Sequence, residues 1–339
     1  MHLSPMKNVI IFTLDDDLTS NLVCEILRSS FKANVIRINC KNDLEFVSCD
    51  ISKNELQFIV RGDLYSVSDI YSVWYRRNVN GFSVSESERF AIEGIRSQLD
   101  ETTQFSDHLL KNIVSNRRDL FVFFLKLLST RSKSLGNPFA MSVNKLWTLR
   151  IAESLGLVIP KSWIVTQKKR LLEIREQSTS LITKAIEEGL HYFSEDFSYL
   201  ILTNKVDEQF IASLPEIFPP SLFQEEISKE FEIRSFYLDG KFYSMAIFSQ
   251  EDKQTRVDFR NYNQIHPNKT CPYNLPAQIQ KKLRALFVEI KLNCGSVDLI
   301  KSRDGCFVFL EINPVGQFGM VSRPCNYNLE SLVAQWLTA

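Results

Sequence analysis

The sequence lacks any apolar run approaching the ~20 residues of a bilayer span, which argues against a membrane-spanning protein. It also lacks a surplus of either charge. Lys+Arg and Asp+Glu both number 40, so there is no overall basic field to draw in nucleic acid. No Cys-x-x-Cys pair occurs. The seven cysteines are scattered and odd in number, which speaks against zinc or thioredoxin-like chemistry and for reduced thiols. The opening residues Met1 to Lys7 lack the apolar stretch and cleavage site of a signal peptide, so a cytoplasmic location is expected. Internal repeats and low-complexity tracts are missing as well. What remains is 44% hydrophobic and 24% charged over 339 residues, the balance of a globular chain long enough for two or three packed units.

The most informative stretch lies near the C-terminus. Two apolar runs, Cys294–Ile300 and Cys306–Ile312, flank Arg303-Asp304-Gly305, and Asp-Gly is a strong hairpin turn signal. Strict alternation puts Asp298 on one face of the first strand. On the second strand it puts Phe307, Phe309 and Glu311 on one face, with Asn313 rejoining them. One acid per strand, embedded in apolar residues, is costly unless neutralised. Asp298, Glu311 and Asn313 are hard oxygen donors of the kind Mg²⁺ prefers.

The run Asp298-Leu299-Ile300 followed by Phe309-Leu310-Glu311-Ile312-Asn313-Pro314 resembles the metal-binding end of ATP-grasp ligases, which join a carboxylate to a nucleophile through an acylphosphate made from ATP. The continuation Val315–Gly319 is similar to the graspetide (microviridin-type) synthetases that modify ribosomal peptides. Phe318–Tyr327 looks most like the synthetases of grasp-with-spasm systems.

Along the chain, Asn8–Thr13 and Val35–Ile38 read as strands, with a helix Thr19–Leu27 between them whose Asp15–Asp17 run acts as a cap. Leu56–Asp63 begins a small hairpin. Ile70–Asn78 is a strand ending in Arg76 and Arg77, of which alternation lets at most one face a given cleft. Trp74-Tyr75-Arg76-Arg77 resembles a signature of the graspetide N-terminal domain. Helix is expected from Ser85 to about Leu128, and the breaker cluster Ser134–Pro138 marks a boundary. Asn144–Ala152 reads as a helix capped by Gly156. Leu181–Ala185, Leu200–Thr203, Phe210-Ile211 and Ser221–Ile227 read as strands, with Pro215, Pro219 and Pro220 as a linker. Asp258 and Arg260 are expected on one face of a further strand.

The resemblance implies an α/β (α+β) ATP-grasp fold. It divides the chain into an open α/β pre-ATP-grasp and leader-binding region (1–135), a lid (136–220) and a C-terminal antiparallel-sheet domain (221–339). It implies ATP and Mg²⁺ as cofactors, with Asp298, Glu311 and Asn313 on the metal. Lys145, Lys184 and Arg234 hold the phosphates. Gln224, Glu225, Glu226 and the backbone at Ile227 form the hinge that meets adenine. Glu232 holds the ribose, with Glu230 competing. Asp258 and Arg260 match a core-peptide motif in which arginine grips the acceptor carboxylate and aspartate orients it, and with Arg234 they form the catalytic set. Only Glu187-Glu188-Gly189 stands where many relatives carry a glycine-rich phosphate loop. The implied substrate is a ribosomal precursor peptide of leader plus core, and the implied assembly a homodimer. The rivals are a ligase adding glutamate or another amino acid to a protein terminus, and a nucleotide-binding regulator without turnover.

Overall fold

The computed structural model describes residues 6–39, 44–77, 94, 103–187, 191–193, 198–200, 202–261 and 263–339. The chain divides into two compact units, Met1–Met141 with Asn328–Ala339, and Ser142–Tyr327.

In the first unit, strands β1 (Asn8–Thr13), β2 (Asn34–Asn39), β3 (Leu44–Asp50), β4 (Glu55–Val60), β5 (Asp63–Ser66), β6 (Ile70–Tyr75) and β7 (Lys133–Leu135) make two sheets. One is parallel, in the order β2-β1-β6-β7; the other is the three-stranded β3-β4-β5. Val9 to Phe12 are fully buried, the mark of a parallel strand covered on both faces. The helix Leu18–Ser29 is capped by Asp17, which accepts from Ser20 N at 3.1 Å. The expected helix before residue 103 lies largely outside the described residues. Thr103–Arg131 is helical and buries Phe121, Phe124 and Leu128. The breaker cluster does not end the layer at once, because Lys133–Leu135 first adds to the parallel sheet. The C-terminal helix Leu329–Thr338 packs back onto this unit, and Ser72 Oγ donates to Leu337 O at 2.6 Å.

Arg76 and Arg77 depart from the alternation rule. β6 ends at Tyr75, and the N–H groups of both arginines donate to Phe12 O at 3.0 Å. Freed from the pleat, both side chains reach Asp17 Oδ2, at 3.1 and 3.0 Å. Burial works against the Asp17 carboxylate, but the two guanidiniums outweigh it and hold its pKa below the usual range.

The second unit begins with the helix Lys145–Ser154, capped by Asn144 and closed by Gly156 at φ +78°. Strands β8 (Ser162–Gln167), β9 (Leu181–Lys184), β10 (His191–Phe193), β11 (Ser198–Leu200), β12 (Asn204–Lys205) and β13 (Ile217–Glu225) follow. They form a sheet ordered β12-β9-β13-β8 and a hairpin β10-β11. Two local expectations fail here. Phe210 and Ile211 sit in the helix Glu208–Ser213, because Asp207 caps it by accepting from Phe210 N at 2.7 Å. The expected proline linker is part of β13: the ladder to β8 is irregular between Ile217 and Ser221, which accommodates Pro219 and Pro220 without N–H donors. Val165, Leu171, Leu181 and Phe223 form the core under this sheet.

A second sheet is antiparallel, ordered β16-β15-β14-β17-β18, from β14 (Lys229–Leu238), β15 (Lys241–Phe248), β16 (Lys269–Tyr273), β17 (Cys294–Ser302) and β18 (Phe307–Asn313). β14 and β15 turn at Asp239-Gly240, both at positive φ. β16 carries Pro272 and is an edge strand, where a missing N–H is tolerated. The helix Ala277–Glu289 packs Phe287 against Tyr237 with ring centroids 4.0 Å apart.

Candidate active site

The hairpin β17–β18 sets the chemistry. Asp298 and Glu311 are direct cross-strand partners, as are Ser296 and Asn313, so the three oxygen donors share one face. Strict alternation also put Phe309 there, and the structure differs. The register slips between Asp298 and Leu299, so that Leu299 faces Phe309 and Leu310 is the extra residue of a bulge. Phe309 is thereby turned into the core, fully buried, while Leu310 and Glu311 both line the cleft. Asn313 is fixed from behind. Gly316 N–H donates to its backbone oxygen at 3.0 Å and to Oδ1 at 3.3 Å. Only glycine fits at 316, where φ is +57° and a Cβ would stand 3.0 Å from Gly295 Cα.

Cations surround the acids. On the next strand Arg234 is in register with Asp298, and its Nη1 lies 2.6 Å from Oδ2. Lys145, from the start of its helix, sits 3.2 Å from Glu311 Oε2 and also donates to Glu187 O at 2.9 Å. Lys184 ends β9 and lines the cleft. Burial, with help from the charges of Lys145 and Arg260, pushes its pKa below the ordinary lysine value against the pull of Glu311. Burial likewise opposes the Glu311 carboxylate, but Lys184 and Lys145 hold its pKa down. For Asp298, burial and the facing Glu311 outweigh Arg234 and raise it.

Asp298 Oδ1 and Arg234 Nε are buried and have no hydrogen-bond partner among the described residues. An unpaired carboxylate oxygen beside an unpaired guanidinium N–H is costly by itself, and suits a bound cation and anion side by side. The donors fit Mg²⁺: two carboxylates and one amide, all oxygen. Among the described residues no cluster of three or more His, Cys, Asp or Glu occurs, so Asn313 is needed to complete the set.

The cleft continues from these acids to the segment 226–228 that joins β13 to β14. Gln224, Glu225, Ile227 and Glu232 line it, as do Asp258 and Arg260. Gln224 is buried, donates to Ser162 Oγ at 2.8 Å, and keeps Oε1 unpartnered. The Glu226 side chain is used elsewhere, paired with Lys205 at 2.7 Å and accepting from Ser180 Oγ at 2.6 Å. Between the two candidate ribose acids the geometry separates cleanly, with Glu232 buried and on the cleft and Glu230 exposed. Glu232 Oε1 is held by Lys229 and by Ser249 Oγ at 2.9 Å.

Asp258 and Arg260 lie in a loop of turns rather than on the expected strand. The loop folds on itself: Arg260 Nε and Nη2 grip both oxygens of Asp258 at 2.9 and 2.6 Å, and Thr203 N donates to Oδ2 at 3.1 Å. Burial opposes the Asp258 charge, but these donors win and lower its pKa to about 2. A depressed acid contributes stability above its unfolded pKa and loses it on acidification. Asp258 should therefore contribute about 2 kcal/mol near neutrality, lost between its unfolded value of 3.8 and about 2. Acid titration of stability should show this as a steeper loss in wild type than in Asp258→Asn over that window, and parallel curves would remove the ion pair from the account.

Sequence reasoning brought together Lys184, Gln224, Glu225, Ile227, Glu232, Asp258, Arg260, Asp298 and Glu311, all on one cleft. It missed the supporting groups Lys229, Ser249, Thr203, Lys205 and Ser162. Each acts through a contact remote in sequence or through a single ordinary donor, and no local pattern marks it.

No protein-family model matches the chain, and no curated protein does. Solved structures do. A RiPP-associated ATP-grasp ligase from Chryseobacterium gregarium, solved in complex with ADP, and a leader and core peptide, superposes with a TM-score of 0.76 at 24% identity, covering 98% of this chain and 96% of that one. The macrocyclase MdnC from Microcystis aeruginosa, bound with precursor peptide MdnA, gives 0.72 at 21% identity, covering 97% and 99%. D-alanyl-alanine synthetase A from Vibrio cholerae gives 0.57 at 14%, covering 99% and 98%. Likeness over nearly the full length of all three, at identities this low, is a likeness of backbone architecture, and that architecture is the ATP-grasp fold.

Proposed function

We propose that the chain is an ADP-forming peptide macrocyclase. It would activate Asp or Glu side chains of a ribosomal precursor peptide as acylphosphates and join them to Ser/Thr hydroxyls or Lys amines, releasing ADP and phosphate. The observation that carries this reading is the convergence, on one cleft, of an opposed Asp298/Glu311 pair, Lys184 and the separate Asp258–Arg260 grip, with Arg234 paired to Asp298 and Lys145 to Glu311. Superposition on a ligase solved with ADP and peptides, and on a macrocyclase solved with its precursor peptide, supports the same substrate classes.

In this reading Asp298, Glu311 and Asn313 hold Mg²⁺, which supplies charge neutralisation at the phosphates when bound. Lys145, Lys184 and Arg234 bind the phosphate oxygens, and the buried, unpartnered Nε of Arg234 is available to charge that grows during transfer. Gln224, Glu225 and the backbone at Ile227 hold the adenine, and Glu232 the ribose. Glu226 keeps the hinge in place through Lys205 and Ser180. Asp258 occupies the Nε–Nη2 edge of Arg260, which leaves the Nη1 side of a half-exposed guanidinium for the acceptor carboxylate. The N-terminal region is assigned to the peptide leader, and the protein to the cytoplasm as a homodimer.

The direct test is incubation with MgATP and the short peptides encoded beside the gene, reading ADP release and loss of one water per ring. Peptide-independent glutamate addition would favour the terminus-adding ligase, and no ADP release with any peptide the regulator. Arg260→Ala should leave nucleotide affinity nearly unchanged in calorimetry and slow modification by about 10²-fold. If that variant no longer binds nucleotide, Arg260 belongs to the nucleotide and not to the acceptor.

A further inference from the structure

Lys229 opens β14 and is 8% exposed, an unusual burial for a lysine. Its ammonium donates to Glu232 Oε1 and, at 3.0 Å, to the carbonyl of Val257. Ser249 Oγ adds a second donor to the same carboxylate oxygen at 2.9 Å, so both contacts fall on Oε1 and neither on Oε2 of a residue that lines the cleft. These contacts join two different tasks. Glu232 stands on the nucleotide side, whereas Val257 immediately precedes Asp258, which grips Arg260. The chain from Ser249 to Asn261 has no strand or helix. It is held by its own polar contacts, such as Thr255 Oγ1 to Ser249 O at 3.0 Å and Asn261 N to Asp258 O at 3.0 Å. The only buried cation reaching across from the sheet, among the described residues of this junction, is Lys229.

We propose that Lys229 is a positioning residue that couples nucleotide bound at Glu232 to the order of the loop carrying Asp258 and Arg260. The inference rests on the reading of Glu232 as the ribose acid. Ribose hydroxyls donating to Oε2 would favour the ionised carboxylate, which burial otherwise opposes. An ionised Glu232 holds the ammonium in place, and a fixed ammonium holds Val257 O. The loop that carries the acceptor arginine is then held more tightly when the phosphate donor is present, which limits idle exposure of an activated site to water.

The test is backbone amide exchange over residues 250–261, with MgADP as the probe. In wild type, saturating MgADP should slow exchange in this segment by about tenfold. In Lys229→Met, MgADP should still bind by calorimetry, but the slowing should vanish, and Lys229→Arg should restore it. A purely structural lysine would instead speed exchange equally with and without MgADP, leaving the ratio unchanged. Slowing that persists in folded Lys229→Met, or no slowing in wild type that binds MgADP, overturns the coupling. Should Lys229→Met not fold, Ser249→Ala decides: removal of one donor from Glu232 should reduce the slowing, and an unchanged ratio overturns the proposal. Wild type that binds no MgADP overturns the ribose reading itself, an outcome distinct from lost coupling.

Discussion

Glu311→Gln is expected to abolish peptide modification, slowing it by about 10³-fold, while peptide binding weakens only slightly. Glutamine keeps the volume and one oxygen but removes the charge, and the charge is what the surroundings are arranged around. Lys145 lies 3.2 Å from Oε2, and the fields of Lys145 and Lys184 are what hold the Glu311 pKa down against burial. With a neutral side chain the two lysines face each other without an intervening anion, and the oxygen set at the hairpin keeps only Asp298 as a charged donor. Asp258 and Arg260 make their own direct contacts, so the acceptor grip loses only the field of Glu311 and no hydrogen bond. Rapid-quench turnover and peptide titration on the same preparation separate the two quantities. Ordinary turnover at ordinary Mg²⁺ would remove Glu311 from the site.

Lys184→Ala should weaken nucleotide binding by about thirtyfold, the worth of one charge-assisted hydrogen bond of about 2 kcal/mol, with no peptide present. The free protein should lose little stability. Lys184 is a cation that burial and two cationic neighbours already disfavour, so its removal relieves desolvation as well as losing the attraction of Glu311. The lowered pKa has a consequence of its own sign: wild-type nucleotide affinity should fall on the alkaline side at a pH below that of an ordinary lysine, and this limb should be absent in the alanine variant. Calorimetry across that range measures both. Unchanged affinity in Lys184→Ala would leave Lys145 and Arg234 as the phosphate cations.

The elements that were legible in the sequence are those whose signals are local. The Asp304-Gly305 turn, the apolar run of β1 and the Gly156 stop each depend on a few neighbouring residues and their backbone preferences. The shared face of Glu311 and Asn313 was legible for the same reason, since period-2 geometry is a property of one strand. Failures came where a second element intervened. The exception is local: Asp207 caps a short helix that takes in Phe210 and Ile211. The end of β6 let both arginines reach Asp17. A bulge at Leu310 moved Phe309 to the core, which no single-strand count reveals.

By itself, then, the sequence determined which residues carry charge within apolar strands and where the chain turns. Tertiary structure alone decided which cations meet which acids. Arg234 meets Asp298 because β14 pairs with β17 in one register, and Lys145 meets Glu311 across more than 160 positions of sequence. It also set Glu232 and Glu230, two residues apart on one strand, in different surroundings, burying the first beside Lys229 and Ser249 and leaving the second in solvent. The physical reason is range. Backbone preferences act over a few residues and are written in order along the chain, whereas burial and Coulomb interactions depend on distance in space, which only the completed fold sets.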